Sequence, residues 1–170
     1  MQQIHSFIPS ADNTRAFRDA LGQFGTGVTV VTAMGPQGPA GMTANSFSSV
    51  SMDPPLVLWS PAKASRRFGW FTAADRFAIH VLSHAQDLLC HGFAKSHDIF
   101  DRLDWSPSEH GVPLIAGCLS RFECRRSAVH DAGDHAIVVG EVERETVTEG
   151  APLLFYKGRM GQFLHLNGRV

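Results

Sequence analysis

Residues 41–60 read GMTANSFSSVSMDPPLVLWS. From Thr43 to Ser51 there is no charged residue, and serine, threonine and asparagine dominate. The following residues turn into the apolar run PPLVLWS. A hydroxyl-rich stretch of this kind reads either as a flexible linker or as strand whose backbone and hydroxyls hold something polar. The flanks decide between these. Upstream, TGVTVVTAM (26–34) is a strand by its Val and Thr content. GPQGPAG (35–41) cannot continue a helix and reads as a turn or short loop. The chain then resumes with alternating character from Met42, so the two runs read as a β-hairpin. Downstream, Pro54 and Pro55 open a further strand, where they cost no ladder hydrogen bond. Bracketed in this way, residues 43–51 belong to a sheet.

Working outward, NTRAFRDALGQF sets Phe17, Ala20, Leu21 and Phe24 at helical spacing. It predicts a helix over about 13–24, with Asp12, Asn13 or Thr14 as its cap. KASRRFGWF (63–71) reads as a short helix and RFAIHVLS (76–83) as a strand. SHAQDLLCHGFA (83–94) reads as a helix with Ser83 and Gln86 at capping-box spacing. DIFDRLDWSPSEHGVP (98–113) is loop-like. LIAGCLSRFECRRSAV (114–129) and HAIVVGEVERETV (135–147) read as two long strands turned by DAGD (131–134). PLLFYKGRMGQFLHL (152–166) adds one or two more. About seven strands, three short helices and no βαβ alternation predict a mainly β, antiparallel barrel decorated by helices. The whole chain, 1–170, reads as one domain.

The composition supports a packed core and points away from several partners. The chain has 170 residues, 44% of them hydrophobic, with 15 Lys+Arg against 16 Asp+Glu for a net charge of −1. No basic field calls for nucleic acid or an anionic membrane. No apolar run is long enough to span a bilayer, and the N-terminal residues do not read as a signal peptide. The three cysteines, Cys90, Cys118 and Cys124, form no CxxC and read as reduced, buried filler in a cytoplasmic protein.

The chemistry-bearing motifs are few. Nine histidines include no HExxH and no Cys/His pair at zinc spacing, so no metal site is expected. There is no GxSxG elbow and no GxxxxGK[ST] phosphate loop. What remains is TANSFSS, whose small polar residues let backbone approach a flavin ring and meet its polar edge. SPAKASRR (60–67) brings Ser60, Lys63, Ser65, Arg66 and Arg67 together for a phosphate, although a solvated basic helix face fits the same spacing.

FGTGVTVVTA (24–33), GMTANSFSSVSMDPPLVLWS, FAIHVLS, GDHAIVVGEV (133–142) and PLLFYKGRM (152–160), in this order, resemble the flavin reductase-like family. The resemblance covers about residues 14–163. It implies an antiparallel split β-barrel that binds FMN or FAD, a homodimer, and hydride transfer from NADH or NADPH to flavin. The reduced flavin then passes to a partner flavin-dependent monooxygenase. The resemblance places Thr43, Ala44, Asn45 and Ser46 along the isoalloxazine edge. It places Ser60, Lys63 and Ser65 at the flavin phosphate, helped by Arg66 or Arg67, and His135 beside the nicotinamide. Tyr156 and Arg159 would lie on a strand closing over the pocket, and Asp98 and Phe100 would form a D-x-F element. Two rival readings keep the fold: electron delivery to a corrinoid or ferric chelate, and a non-catalytic flavin- or haem-binding protein. With no arginine cluster to mark a 2′-phosphate, NADH is the expected donor.

Overall fold

The computed structural model describes residue 4, residues 6–96 and residues 99–164. Among these, twelve strands and three α-helices are formed. They are β1 (Thr26–Gly27), β2 (Thr29–Gly35), β3 (Gly38–Ala44), β4 (Ser48–Met52), β5 (Pro55–Trp59), β6 (Arg76–Val81), β7 (Trp105–Pro107), β8 (Pro113–Ile115), β9 (Ser120–Ala132), β10 (His135–Val147), β11 (Leu153–Tyr156) and β12 (Arg159–Gln162). The helices are α1 (Thr14–Leu21), α2 (Phe68–Ala73) and α3 (Asp87–Lys95).

Seven strands form one antiparallel sheet in the order β3-β2-β6-β9-β10-β5-β4. Its two edge strands, β3 and β4, are consecutive in sequence and separated only by residues 45–47. Laid flat, the six gaps between seven strands would span roughly 29 Å at about 4.8 Å each, whereas the four Cα steps from Ala44 to Ser48 reach at most ~15 Å. The sheet therefore curls until its edges meet at residues 45–47. The result is the expected split barrel. Inside it, Val31, Ala33, Trp59, Phe71, Phe77, Ile79 and Val138 are buried, with the Trp59 and Phe71 rings edge to face at 5.3 Å.

A second core lies outside the barrel wall. Val28, Val30, Leu82, Cys90, Phe93, Phe100 and Leu153 pack there beneath α3 and the small β1-β11-β12 sheet. Strand β2 has cores on both faces, which explains its unbroken run of buried residues from Thr29 to Ala33. The small sheet is joined to the barrel by a triangle of backbone hydrogen bonds. Leu82 donates to Val28 (3.0 Å), Leu153 to Leu82 (3.0 Å) and Val28 to Leu153 (3.2 Å).

Several local expectations shift. The turn in GPQGPAG shrinks to Pro36 and Gln37, because Gly35 and Gly38 already pair in the β2–β3 hairpin. Pro39 is tolerated in a strand because β3 is an edge. Gly41 is required because a Cβ there would stand 2.3 Å from the Phe93 ring. MTANSFSSVSM is two strands rather than one, broken at the crossover. Residues 105–115 are not all loop. They form the β7–β8 ribbon, which lies on the outer face of the barrel. The first helix is shorter than its sequence pattern, and Phe17 and Leu21 stay exposed. Ser83 and Gln86 do form the expected capping box.

His80 fastens the β7–β8 ribbon. It is fully buried, its Nδ1–H donates to the Val30 carbonyl (3.0 Å), and its Nε2 accepts the Ile115 N–H (3.0 Å). Burial lowers its pKa from 6.5 to about 4. The imidazole is therefore neutral when folded, and protonating it would set a second donor against the Ile115 N–H. The fold favours the neutral form, so this contribution is complete above about pH 6.5 and is lost as pH falls toward about 4. The full loss is about 3 kcal/mol, or roughly 6–12 °C in Tm. We expect Tm to fall by that amount across this window, and the extra pH dependence to vanish in His80→Asn. Equal pH slopes in the two proteins would refute the assignment.

Candidate functional site

The seam where the barrel edges meet carries a concave face. Ser46 sits in the crossover, and its Oγ accepts the Ser60 N–H at 2.9 Å, tying the end of β3 to the end of β5. Thr43 Oγ1 donates to the Cys90 carbonyl on α3 at 2.7 Å. Thr43, Ala44 and Asn45 then line a cavity of about 180 Å³ with Val28, Phe155 and Met160. As an edge strand, β3 turns one row of backbone N–H and C=O groups away from the ladder. An apolar cleft bounded by such a row suits a ring system with an apolar face and a polar edge, which is the chemistry of a flavin.

The segment after Ser60 runs to the tip of the β9–β10 hairpin. Ala62 and His135 form an isolated antiparallel bridge. Ala136 donates to the Pro61 carbonyl (3.1 Å) and Lys63 N–H to the Asp134 carbonyl (2.9 Å). The Lys63 ammonium pairs with Asp131. At the tip, the Asp134 carboxylate is 2.8 Å from His135 Nδ1. An ionised carboxylate only accepts, so Nδ1 carries the hydrogen of this bond, which orients the part-exposed ring. The hydrogen bond from His135, followed by its charge, holds Asp134 below the usual carboxylate range, and the positive charge of Arg18 on α1 adds to this. The His135 hairpin thus stands beside the residue 43–46 seam, although 89 positions separate the two motifs in sequence.

On the other side of residue 60, Ser65 and Arg66 line a basic cavity of about 440 Å³ with Arg67, Trp70, Lys95 and Ser96. Arg67 holds this corner together. Its Nη1 donates to the carbonyls of Gly41 (2.6 Å) and Phe93 (2.9 Å), with a longer contact to that of Ser96 (3.4 Å). Burial lowers its pKa. Ser65 Oγ accepts the Arg67 N–H at 3.2 Å.

The expected site residues therefore divide. Thr43, Ala44, Asn45, Ser46 and Ser60 gather at the seam, with Lys63 and His135 beside them. Ser65 and Arg66 stand in the basic cavity. Tyr156 and Arg159 flank the β11–β12 turn and line a separate cavity with Met160. Phe100 is not at this surface. It is buried in the second core between Phe93 and Trp105, with ring centroids 5.2 and 5.3 Å away. Asp98 lies outside the described residues. Sequence reasoning missed Phe155 as a cavity wall and Lys95 as a third cation. Lys95 ends a helix that the sequence places but whose docking it does not reveal.

A larger cavity, about 660 Å³, lies elsewhere. There Arg76, Arg121 and Arg144 face Glu109, Glu123 and Glu143, and the opposite charges offset one another. The cysteines are buried, and burial pushes Cys118 up to about 11 and Cys124 to about 12, so neither supplies a thiolate near neutral pH.

Among the described residues, no helix is long and apolar enough to cross a membrane. Residues 21–164 match the family described as "Flavin reductase like domain". The chain is 58% identical over 163 residues to the FMN reductase (NADH) SmoA of Agrobacterium fabrum, covering 96% of this chain and 94% of that protein. It is 43% identical over 148 residues to the flavin-dependent monooxygenase reductase subunit HsaB of Mycobacterium tuberculosis, covering 85% and 79%. Among solved structures, it is similar to the Streptomyces globisporus NADH:FAD oxidoreductase SgcE6, with TM-score 0.86 and 40% identity over 94% of this chain and 98% of that one. It also matches the complex of SgcE6 with NAD and FAD fragments, with TM-score 0.85 and 39% identity over 94% and 98% of the two chains.

Replacing Arg67 by Met strips a charged donor from buried carbonyls and releases α3 from β3. We expect a loss of about 3 kcal/mol, read as a Tm lower by roughly 6–12 °C. A change under about 2 °C would show that the staple contributes little to stability.

Proposed function

The chain belongs to the flavin reductase-like family, and on that premise we propose that it is an NADH-dependent flavin reductase that transfers hydride to FMN. Reduced flavin then leaves for a partner flavin-dependent monooxygenase. The observation that carries this reading is the closed seam: an apolar cleft under the β3 edge with the Asp134–His135 pair beside it. FMN and NADH are favoured by the relative that is 58% identical. Three buried free cysteines suit a reducing compartment, and we place the protein in the cytoplasm as a single-domain enzyme.

When bound, flavin supplies the hydride-accepting N5. The residues of this chain bind, align and exclude water. Thr43, Ala44 and Asn45 present small side chains and edge-strand backbone to the ring, while Ser46 keeps the seam closed. Ser60, Ser65 and Arg66 meet the flavin phosphate, with Lys95 as a further cation. Lys63 reaches that phosphate only by leaving Asp131. His135, oriented by Asp134, positions the nicotinamide carboxamide. Neither ring needs an acid or a base from the protein.

The exposed apolar side chains have a use as well. Met52 at the end of the edge strand β4 is 91% exposed, and Phe24 just after α1 is 79% exposed. We assign these surfaces to a homodimer interface. Light scattering should return twice the chain mass, and a monomer at micromolar concentration would remove the assignment.

The activity test is NADH oxidation followed by absorbance, with and without free FMN or FAD. We expect a rate that rises and saturates with FMN. His135→Ala should raise the KM for NADH roughly tenfold and leave FMN affinity within about twofold. No oxidation by folded protein with either flavin would leave a binding protein, and unchanged NADH kinetics in the variant would remove the role of His135.

A further inference from the structure

A second concave surface adjoins the seam. It is a cavity of about 590 Å³ between the last turn of α1 and the β11–β12 turn, lined by Arg18, Asp19, Gln23, Phe155, Lys157 and Gly158. Phe155 is shared with the cleft under Thr43, Ala44 and Asn45, so the two cavities are neighbours across one ring. Two cations against one carboxylate leave the cavity net positive. Its walls are tied together, because Lys157 N–H donates to the Gly22 carbonyl (3.1 Å) and Tyr156 Oη–H to Gln23 Oε1 (3.2 Å).

Lys157 is unusual in its backbone. It and Gly158 form a two-residue turn between Tyr156 and Arg159, with φ of 48° and 77°. Both angles are positive, as in a type I′ turn, where Asn-Gly is the favoured pair and a lysine is strained. Among the described residues, Lys157 alone has positive φ without being glycine. Its ammonium stands 5.4 Å from the centroid of the Tyr156 ring, a contact that holds the charge beside the cavity. Arg18, the other cation, comes from the last turn of α1, and the cavity meets the cleft under Thr43, Ala44 and Asn45 at Phe155.

We propose that this cavity is the phosphate subsite for the nicotinamide dinucleotide, with Arg18 and Lys157 binding the pyrophosphate while the nicotinamide reaches His135. The assignment rests on the reductase reading above. It favours the dinucleotide over flavin because the flavin phosphate, on the reading above, already has Ser65, Arg66 and Lys95 in a separate basic cavity. Gln23 and the Tyr156 hydroxyl are positioned to meet the adjoining ribose. The two cations are surface groups, so salt should weaken donor binding measurably.

The test uses Arg18→Gln and Lys157→Asn, alone and together. Lys157→Asn removes the charge and suits the turn, so its Tm should equal or exceed that of the native protein. With NADH, the double variant should show a KM raised about tenfold, a kcat within about twofold, and a flatter dependence of KM on salt. With 1-benzyl-1,4-dihydronicotinamide, a hydride donor without phosphate, native and variant proteins should have the same kinetics. FMN affinity, read from flavin fluorescence, should also match. An unchanged KM for NADH overturns the subsite. So does an equal loss with the phosphate-free donor, which marks a structural effect, and so does weakened FMN binding, which moves the cations to the flavin. If the native protein turns over neither donor, the reductase reading fails and takes the subsite with it.

Discussion

Three residues, Asn45, Ser46 and Phe47, connect the opposite edges of a seven-stranded sheet. A chain that short cannot cross a flat sheet, so the sheet must close. Closure buries Trp59, Phe71, Phe77 and Val138 in one interior and leaves the outer wall of β2 to form a second core with α3. The same constraint makes the site. Where the edges meet without a ladder between them, backbone groups of β3 face a cleft, and the Ser46 hydroxyl holds the joint, accepting from the Ser60 N–H and donating to the Ser60 carbonyl. The hydroxyl-rich composition of residues 43–51 thus has a structural role. The hydroxyls of Thr43 and Ser46 each secure the backbone of another segment, α3 and the end of β5.

The polar groups around the seam divide the labour by position. His80 and Arg67 are buried or half-buried, and among the described residues their side chains bond to backbone, so they hold elements together. Lys63, Asp131, Asp134 and His135 cluster on the β9–β10 tip and the segment that bridges to it, largely in solvent. Exposed pairs of this kind add little to stability, which leaves them free to exchange partners when an anionic ligand arrives. The cations fall in two separate cavities: Arg66 and Lys95 in one, Arg18 and Lys157 in the other. Two nucleotides bound face to face would need such a separation, since their phosphates leave the stacked rings in different directions.

Much of the site was legible as motifs. TANSFSS, SPAKASRR and GDH stand out because small, hydroxylated and cationic residues at strand ends have few structural uses in that combination. Their roles were harder to read. Thr43 and Lys63 look like free ligands in sequence, yet Thr43 is bonded to Cys90 and Lys63 is paired with Asp131. Phe100 has the look of a pocket aromatic but is drawn into the second core, because Phe93 and Trp105 offer it a better-packed place. Phe17, Leu21 and Phe24 have the spacing of a core-facing helix, and this chain alone does not cover them.

The amino-acid sequence by itself determined the mainly β class, the strand periods, the capping box at Ser83, the tight turn before His135 and the segments where chemistry concentrates. All of these are local: they follow from side-chain alternation, turn propensity and the hydrogen-bonding capacity of residues a few positions apart. Only the tertiary structure decided which strand lies beside which, and so that residues 43–46, 60–63 and 133–135 share one face. It also decided that Gly41 must lack a side chain, that His80 stays neutral, and that Lys157 occupies a left-handed turn beside Arg18. Those outcomes depend on contacts between residues far apart in the chain, fixed by a barrel whose closure is a property of the whole sheet.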